Sequence, residues 1–153
     1  MASAVFVVIV FSAVIAVSYS HVCLLSPAQR GSLQGINKPG ADNCILLKPP
    51  CGGRERQSNR TVELRDITTS MTTHRQGFFA IFLGRDGDQD YQGLVKIPDK
   101  GEPALSIYTS TIVIPAVPWV NKDAVLQIIY KTMNSDAPPA FYQCADVRIL
   151  PKN

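Results

Sequence analysis

Four cysteines constrain this chain before any hydrophobic pattern is read. Cys23, Cys44 and Cys51 fall in the first third of the sequence and Cys144 near its far end. An even number of cysteines in an oxidising compartment reads as two disulfides, and four cysteines allow three connectivities. The pairing Cys23 with Cys44 and Cys51 with Cys144 is favoured, because the second bond closes a loop of roughly 93 residues and contributes about 4–5 kcal/mol in the chain-entropy model.

The compartment is set by the first twenty residues. Residues 5–17 form an apolar run of signal-peptide length, followed by a small-x-small site at Ser18 and Ser20. The run is too short to span a bilayer comfortably. Residues 1–20 are therefore read as a cleaved signal peptide, and 21–153 as a single secreted domain, long enough for a real core. The chain has no C-terminal hydrophobic tail after a small-residue site, so a glycolipid anchor is not expected. Asn59-Arg60-Thr61 is an N-glycosylation sequon in a polar stretch. The net charge of +3 comes from 15 basic and 12 acidic residues spread along the chain. No polybasic block is present, which argues against nucleic acid as a partner.

From His21 to about Arg60 the sequence is rich in Pro, Gly, Ser and Asn and lacks a helical period, so it reads as a long irregular arm with a short strand or two. Beyond it come β-rich runs at Thr61–Asp66, Gly77–Leu83, Tyr91–Ile97, Leu105–Ile114, Val125–Lys131 and Phe141–Leu150, separated by turn formers. This rhythm belongs to an antiparallel β-sandwich. Phe78 to Leu83 is apolar at every position and suits a central strand. The acidic stretch from Asp86 to Asp90 starts like a calcium loop but lacks its glycine and its closing glutamate, so it reads as a hairpin loop.

Cleavage after Ser20 would make His21 the first residue of the mature chain. A first-residue histidine is a chelator: its free α-amine and its imidazole Nδ1 can close a ring on one metal, and both nitrogens suit Cu(II). The sequence contains only two histidines in 153 residues, so a histidine at a given position is roughly a one-in-75 coincidence. The other is His74, just before the Gly77–Leu83 run. Two nitrogens from the terminus and one from a second imidazole complete a T-shaped set that Cu(II) accepts, whereas Zn(II) would want a fourth ligand.

The segment His21-Val22-Cys23-Leu24-Leu25-Ser26-Pro27-Ala28-Gln29-Arg30-Gly31 resembles the N-terminus of secreted copper-binding proteins similar to lytic polysaccharide monooxygenases, the family that includes fungal copper-acquisition factors. Pro50-Cys51-Gly52-Gly53, the Thr72–Leu83 segment, and the pair Ala124–Asp136 with Phe141-Tyr142-Gln143-Cys144-Ala145-Asp146-Val147 resemble further elements of that family, in order. The resemblance implies an immunoglobulin- or fibronectin-like all-β sandwich with a disulfide-tied arm and a histidine brace. It further implies His21 and His74 as copper ligands, with Asp146 as a carboxylate ligand. Alternation places Tyr142, Cys144 and Asp146 on one strand face, so a disulfide at Cys144 would hold that face near the arm.

Three function classes follow. The first is a secreted monomer that binds Cu(II) without turnover and exchanges it with a copper-transport or cell-surface protein. The second is a copper monooxygenase acting on polysaccharides; an anionic oxygen ligand favours Cu(II) over Cu(I) and counts against it. The third is a β-sandwich interaction module in which the histidines are unrelated.

Overall fold

The computed structural model describes residues 22–31, 42–57, 62–64, 67–73, 77–103, 106–118 and 120–151. Its strands are β1 (Val22–Ser26), β2 (Val62–Leu64), β3 (Ile67–Thr73), β4 (Gly77–Arg85), β5 (Gln89–Pro98), β6 (Ile107–Ile112), β7 (Asp123–Thr132) and β8 (Ala140–Ile149), with one 3-10 turn at Asp42–Cys44. They form a three-stranded sheet in the order β1-β3-β6 and a five-stranded sheet in the order β2-β8-β7-β4-β5. Every pairing is antiparallel except that of β2 with β8. This is the all-β sandwich expected from the spacing of the runs. No helix among the described residues is long and apolar enough to cross a membrane.

The core forms where the two sheets face each other. Val22, Leu24 and Met71 come from the small sheet, and Phe79, Ile81, Leu83, Leu126, Ile128, Tyr130, Phe141, Ala145, Val147 and Ile149 from alternate positions of β4, β7 and β8. Period-2 alternation explains the selection, because Phe78, Ala80 and Phe82 point to the opposite face and are only half-buried. β4 is a central strand, as its unbroken apolar run implies, flanked by β5 and β7. Gly77 opens it at a crossing too tight for a side chain: a Cβ there would lie 2.2 Å from the Lys131 carbonyl oxygen.

β1 is one of the short strands expected in the arm, whereas β3, the threonine-rich stretch Ile67-Thr68-Thr69-Ser70-Met71-Thr72-Thr73, is not among the expected runs. Each is fixed by the other, since β3 pairs with β1 on one side and β6 on the other. The β-branched residues of β3 suit a strand, and the two flanking pairings fix its register.

The arm closes the exposed edge of β8. β2 pairs only with Val147, Arg148 and Ile149. Ahead of it the Arg30 N–H donates to the Cys144 carbonyl (2.7 Å) and the Tyr142 N–H to the Leu46 carbonyl (2.8 Å). An uncovered edge would offer unpaired backbone groups to another chain, and the arm removes that exposure. Two disulfides tie it down, Cys23–Cys44 and Cys51–Cys144, the favoured pairing. Gly52 permits the turn beside Cys51, with φ of +68° and room for no Cβ, which would meet the Leu46 Cβ at 2.4 Å.

Candidate metal centre

His21, His74 and Asn59 lie outside the described residues. What frames the two histidines is described: β1 begins at Val22, one residue after His21, and β3 ends at Thr73, one residue before His74. The two ends are partners in one antiparallel ladder, with Val22 opposite Thr73, Cys23 opposite Thr72 and Leu24 opposite Met71. The described residues contain no cluster of three or more His, Cys, Asp or Glu side chains suited to a metal.

Asp146 lies on β8. Phe141, Gln143, Ala145, Val147 and Ile149 share the inner phase of β8, while Cys144 and Asp146 take the outer phase, under the arm. The expectation that a disulfide at Cys144 holds this face of β8 near the arm is met by the Cys51–Cys144 bond, and on neighbouring β7 the Gln127 amide donates to the Pro50 carbonyl (2.8 Å). The Asp146 carboxylate is taken up by that arm. Oδ1 accepts from Arg30 Nη2 at 2.7 Å and Nε at 3.1 Å, and Oδ2 from Arg30 Nε at 3.1 Å and the Gln57 N–H at 2.8 Å. A carboxylate offers about four lone-pair sites, and all are occupied. Asp146 is thus brought together with Arg30 and Gln57.

Arg30 is the hub of this cluster, and its side chain is only 2 % exposed. Beyond Asp146 it donates from Nη1 and Nη2 to both oxygens of Asp88 (2.9 and 2.8 Å) and from Nη1 to the Arg54 carbonyl (3.3 Å). All five guanidinium N–H groups find acceptors, which a buried arginine requires. Burial works to lower the affinity of Arg30 for its proton, but the hydrogen bonds and charges of Asp88 and Asp146 outweigh it and raise its pKa. Burial, followed by the charge of Asp88, likewise pushes the Tyr91 hydroxyl up. Asp88 comes from the β4–β5 hairpin, the loop the sequence marks as a failed calcium site. Its φ of +58° is a left-handed conformation that aspartate tolerates.

Beside the start of β1 lies a second buried polar group. Gln29 accepts from the Leu24 N–H at its Oε1 (2.9 Å) and donates from Nε2 to the Asn43 carbonyl (2.7 Å). Gln143 donates from Nε2 to the Val22 carbonyl (2.9 Å) and to the same Asn43 carbonyl (2.7 Å). Both side chains are fully buried. They cover the outer edge of β1, stitching it to the 3-10 turn and to β8. Gln143 Oε1 is buried and has no hydrogen-bond partner. Leaving such an acceptor unpaired costs about 1–3 kcal/mol. Neither glutamine is singled out by sequence motif, although Gln143 carried a signal: it is the one polar residue at the inward phase of an otherwise apolar strand face.

Residues 19–153 match the family model described as copper acquisition factor BIM1-like. The chain belongs to that family. Among solved structures it is similar to the catalytic domain of a lytic polysaccharide monooxygenase from Listeria monocytogenes, with a TM-score of 0.56 at 18 % identity over 86 % of this chain and 100 % of that one. A lytic polysaccharide monooxygenase important for efficient utilization of chitin in Cellvibrio japonicus gives a TM-score of 0.56 at 14 % identity over 84 % and 99 % of the two chains. At such identities the likeness establishes the shared β-sandwich fold and nothing finer. No curated protein matches the chain in sequence. The family gives it a copper-related function, as the resemblance implied.

Proposed function

We propose that the processed chain is a secreted, extracellular Cu(II)-binding protein whose cargo is held by the α-amine and imidazole of His21 and the imidazole of His74. One observation carries the reading. In the β1–β3 ladder Val22 pairs with Thr73, and the register from Leu24 to Val22 is unbroken. Continued by one residue in each strand, that register would set position 21 opposite position 74. Directly opposed antiparallel residues have Cβ atoms about 4.5–5.5 Å apart on one face, a span that two side chains can bridge through one metal. The only two histidines of the sequence occupy those positions.

The amine exists only after cleavage before His21, because in the precursor that nitrogen is a peptide amide. Copper would therefore load after the chain enters the secretory pathway. The nitrogen donors suit Cu(II) without help from sulfur. In this proposal Asp146 stays with Arg30, anchors the arm, and is left out of the coordination set. Membership of the copper acquisition family favours capture and transfer of the ion over turnover on a polysaccharide.

Titration of Cu(II) into three proteins tests the reading: the chain beginning at His21, the same chain with Ser20 retained, and His74→Ala. The first should bind tightly and the other two markedly more weakly. Equal affinity in all three would overturn it, and oxidised sugars released from a glycan with reductant would point to the monooxygenase instead.

A further inference from the structure

The two sheets end in four edge strands, β1, β6, β2 and β5, and three of these are protected against further pairing. On β1 the Leu24 N–H is taken by Gln29 and the Val22 carbonyl by Gln143. β2 is only three residues long. β5 carries Asp90 and Lys96, ends in Pro98 and meets β4 through two register shifts. Short length, charge, proline and bulges are the usual means of blunting an edge. β6 has none of them. Among the described residues its one ladder partner is β3, and that ladder runs from Ile107 opposite Thr72 to Ile112 opposite Ile67 without a shift. From Ser106 to Ile114 the sequence contains no charged residue, proline or glycine. An open groove of about 460 Å³, lined by Lys100, Glu102 and the residues Ser106 to Thr109, lies against the first half of the strand.

We propose that β6 pairs with the β6 of a second copy of this chain, antiparallel and about a two-fold axis at Ser110, joining two three-stranded sheets into one. The side chains set the register. Ile107, Thr109, Thr111 and Val113 share the exposed phase of the strand, with Ile107 and Val113 at 65 and 68 % exposure, while Ile112 and Ile114 in the other phase are buried. A slip of one residue would oppose the two phases, so only registers that keep like faces together are open. Centred on Ser110, the pairing sets Ile107 of each copy opposite Val113 of the other, and Thr109 opposite Thr111. Centring it on Thr109 or on Thr111 would put one of these apolar residues against a threonine instead. Directly opposed β-branched pairs are favourable cross-strand contacts, and no charge on the strand meets a like charge. The contact is isologous, so it consumes the edge and stops at two copies.

A single strand pair is small beside a standard interface of about 1,600 Å², so the association is weak and reversible. Sedimentation equilibrium of the chain beginning at His21, taken up to about 1 mM so that millimolar dissociation constants are reached, should show the mass rising from one copy toward two. Ile107→Lys and Val113→Glu each set a charge against an apolar residue of the second copy and should hold the mass at one copy. Both positions are exposed, so both variants should melt with the unsubstituted chain. Mixed in equal amounts, they should recover the dimer, because the introduced lysine then meets the introduced glutamate while Ile107 of one copy meets Val113 of the other. Should either variant fail to fold, Thr109→Lys with Thr111→Glu, opposed in the same register, replaces the pair. A mass of one copy at every concentration would overturn the inference. So would a dimer that survives both substitutions, which would belong to another surface, or folded variants that stay apart when mixed, which would exclude the register. None of these outcomes depends on copper, so the test is separate from that of the function proposed above.

Discussion

Arg30→Met removes the cation on which two carboxylates converge, and the structure allows its cost to be worked out. Asp146 is 4 % exposed at its side chain and would keep only the Gln57 N–H, whereas Asp88, at 28 %, can recover water. The penalty therefore lies almost entirely with Asp146. Breaking a buried ion pair by deleting one partner costs about 3–5 kcal/mol. An unfolding entropy of about 2.1 cal/mol/K per residue over roughly 130 residues is ~0.27 kcal/mol/K, so the melting temperature should fall by about 11–18 °C. Circular dichroism melts with both disulfides intact would measure it. The double variant Arg30→Met with Asp146→Leu should recover most of the loss, because it removes the stranded charge. A drop below about 4 °C for Arg30→Met, equivalent to about 1 kcal/mol, would show that Asp146 is not desolvated and refute the reasoning. A double variant as unstable as the single would place the loss in packing around the arginine stem instead.

Two further outcomes follow from the charged groups. Asp146→Asn should loosen the arm, seen as faster amide exchange at Gln57 and Arg30, while the Cu(II) spectrum stays unchanged; a lost or altered copper signal would return this carboxylate to the coordination set. Asp123 has its pKa lowered chiefly by the hydrogen bond from Arg148, with the charges of Arg148 and Arg56 adding to it. Its contribution is present above the ordinary carboxylate pKa and disappears as pH falls through the lowered value. Asp123→Asn should thus reduce stability at pH 6 and leave it little changed well below pH 3.8, the reference value of that carboxyl, as read from melting curves across that range.

Much of the architecture could be read from the chain because it rests on short-range patterns. The runs from Gly77 to Leu150 alternate or stay apolar in ways that fix β4, β5, β7 and β8 to within a few residues. The favoured disulfide pairing is the one formed, although loop length alone does not select it, and the acidic hairpin was legible from its missing glycine and glutamate. What escaped is long-range. β3 is a threonine-rich run outside the expected strands, and its partners β1 and β6 lie far from it in sequence. Alternation gave the correct face of β8 to Cys144 and Asp146, but no local rule says that Arg30, 116 positions away, covers that face. Arg30 was visible only as part of a motif, and its partner Asp88 only as a loop residue. The amide pair Gln29 and Gln143 was missed for the same reason, since the carbonyl of Asn43 that joins them lies on a third segment.

The account turns on whether residues 21 and 74 hold one ion. Electron paramagnetic resonance of the Cu(II)-loaded chain that begins at His21, with nitrogen couplings resolved, tests this most directly. Three coupled nitrogens are expected, two from His21 and one from His74, with His74→Ala losing one of them and retention of Ser20 abolishing the amine contribution. A spectrum without nitrogen coupling, or one unchanged by both alterations, would contradict it.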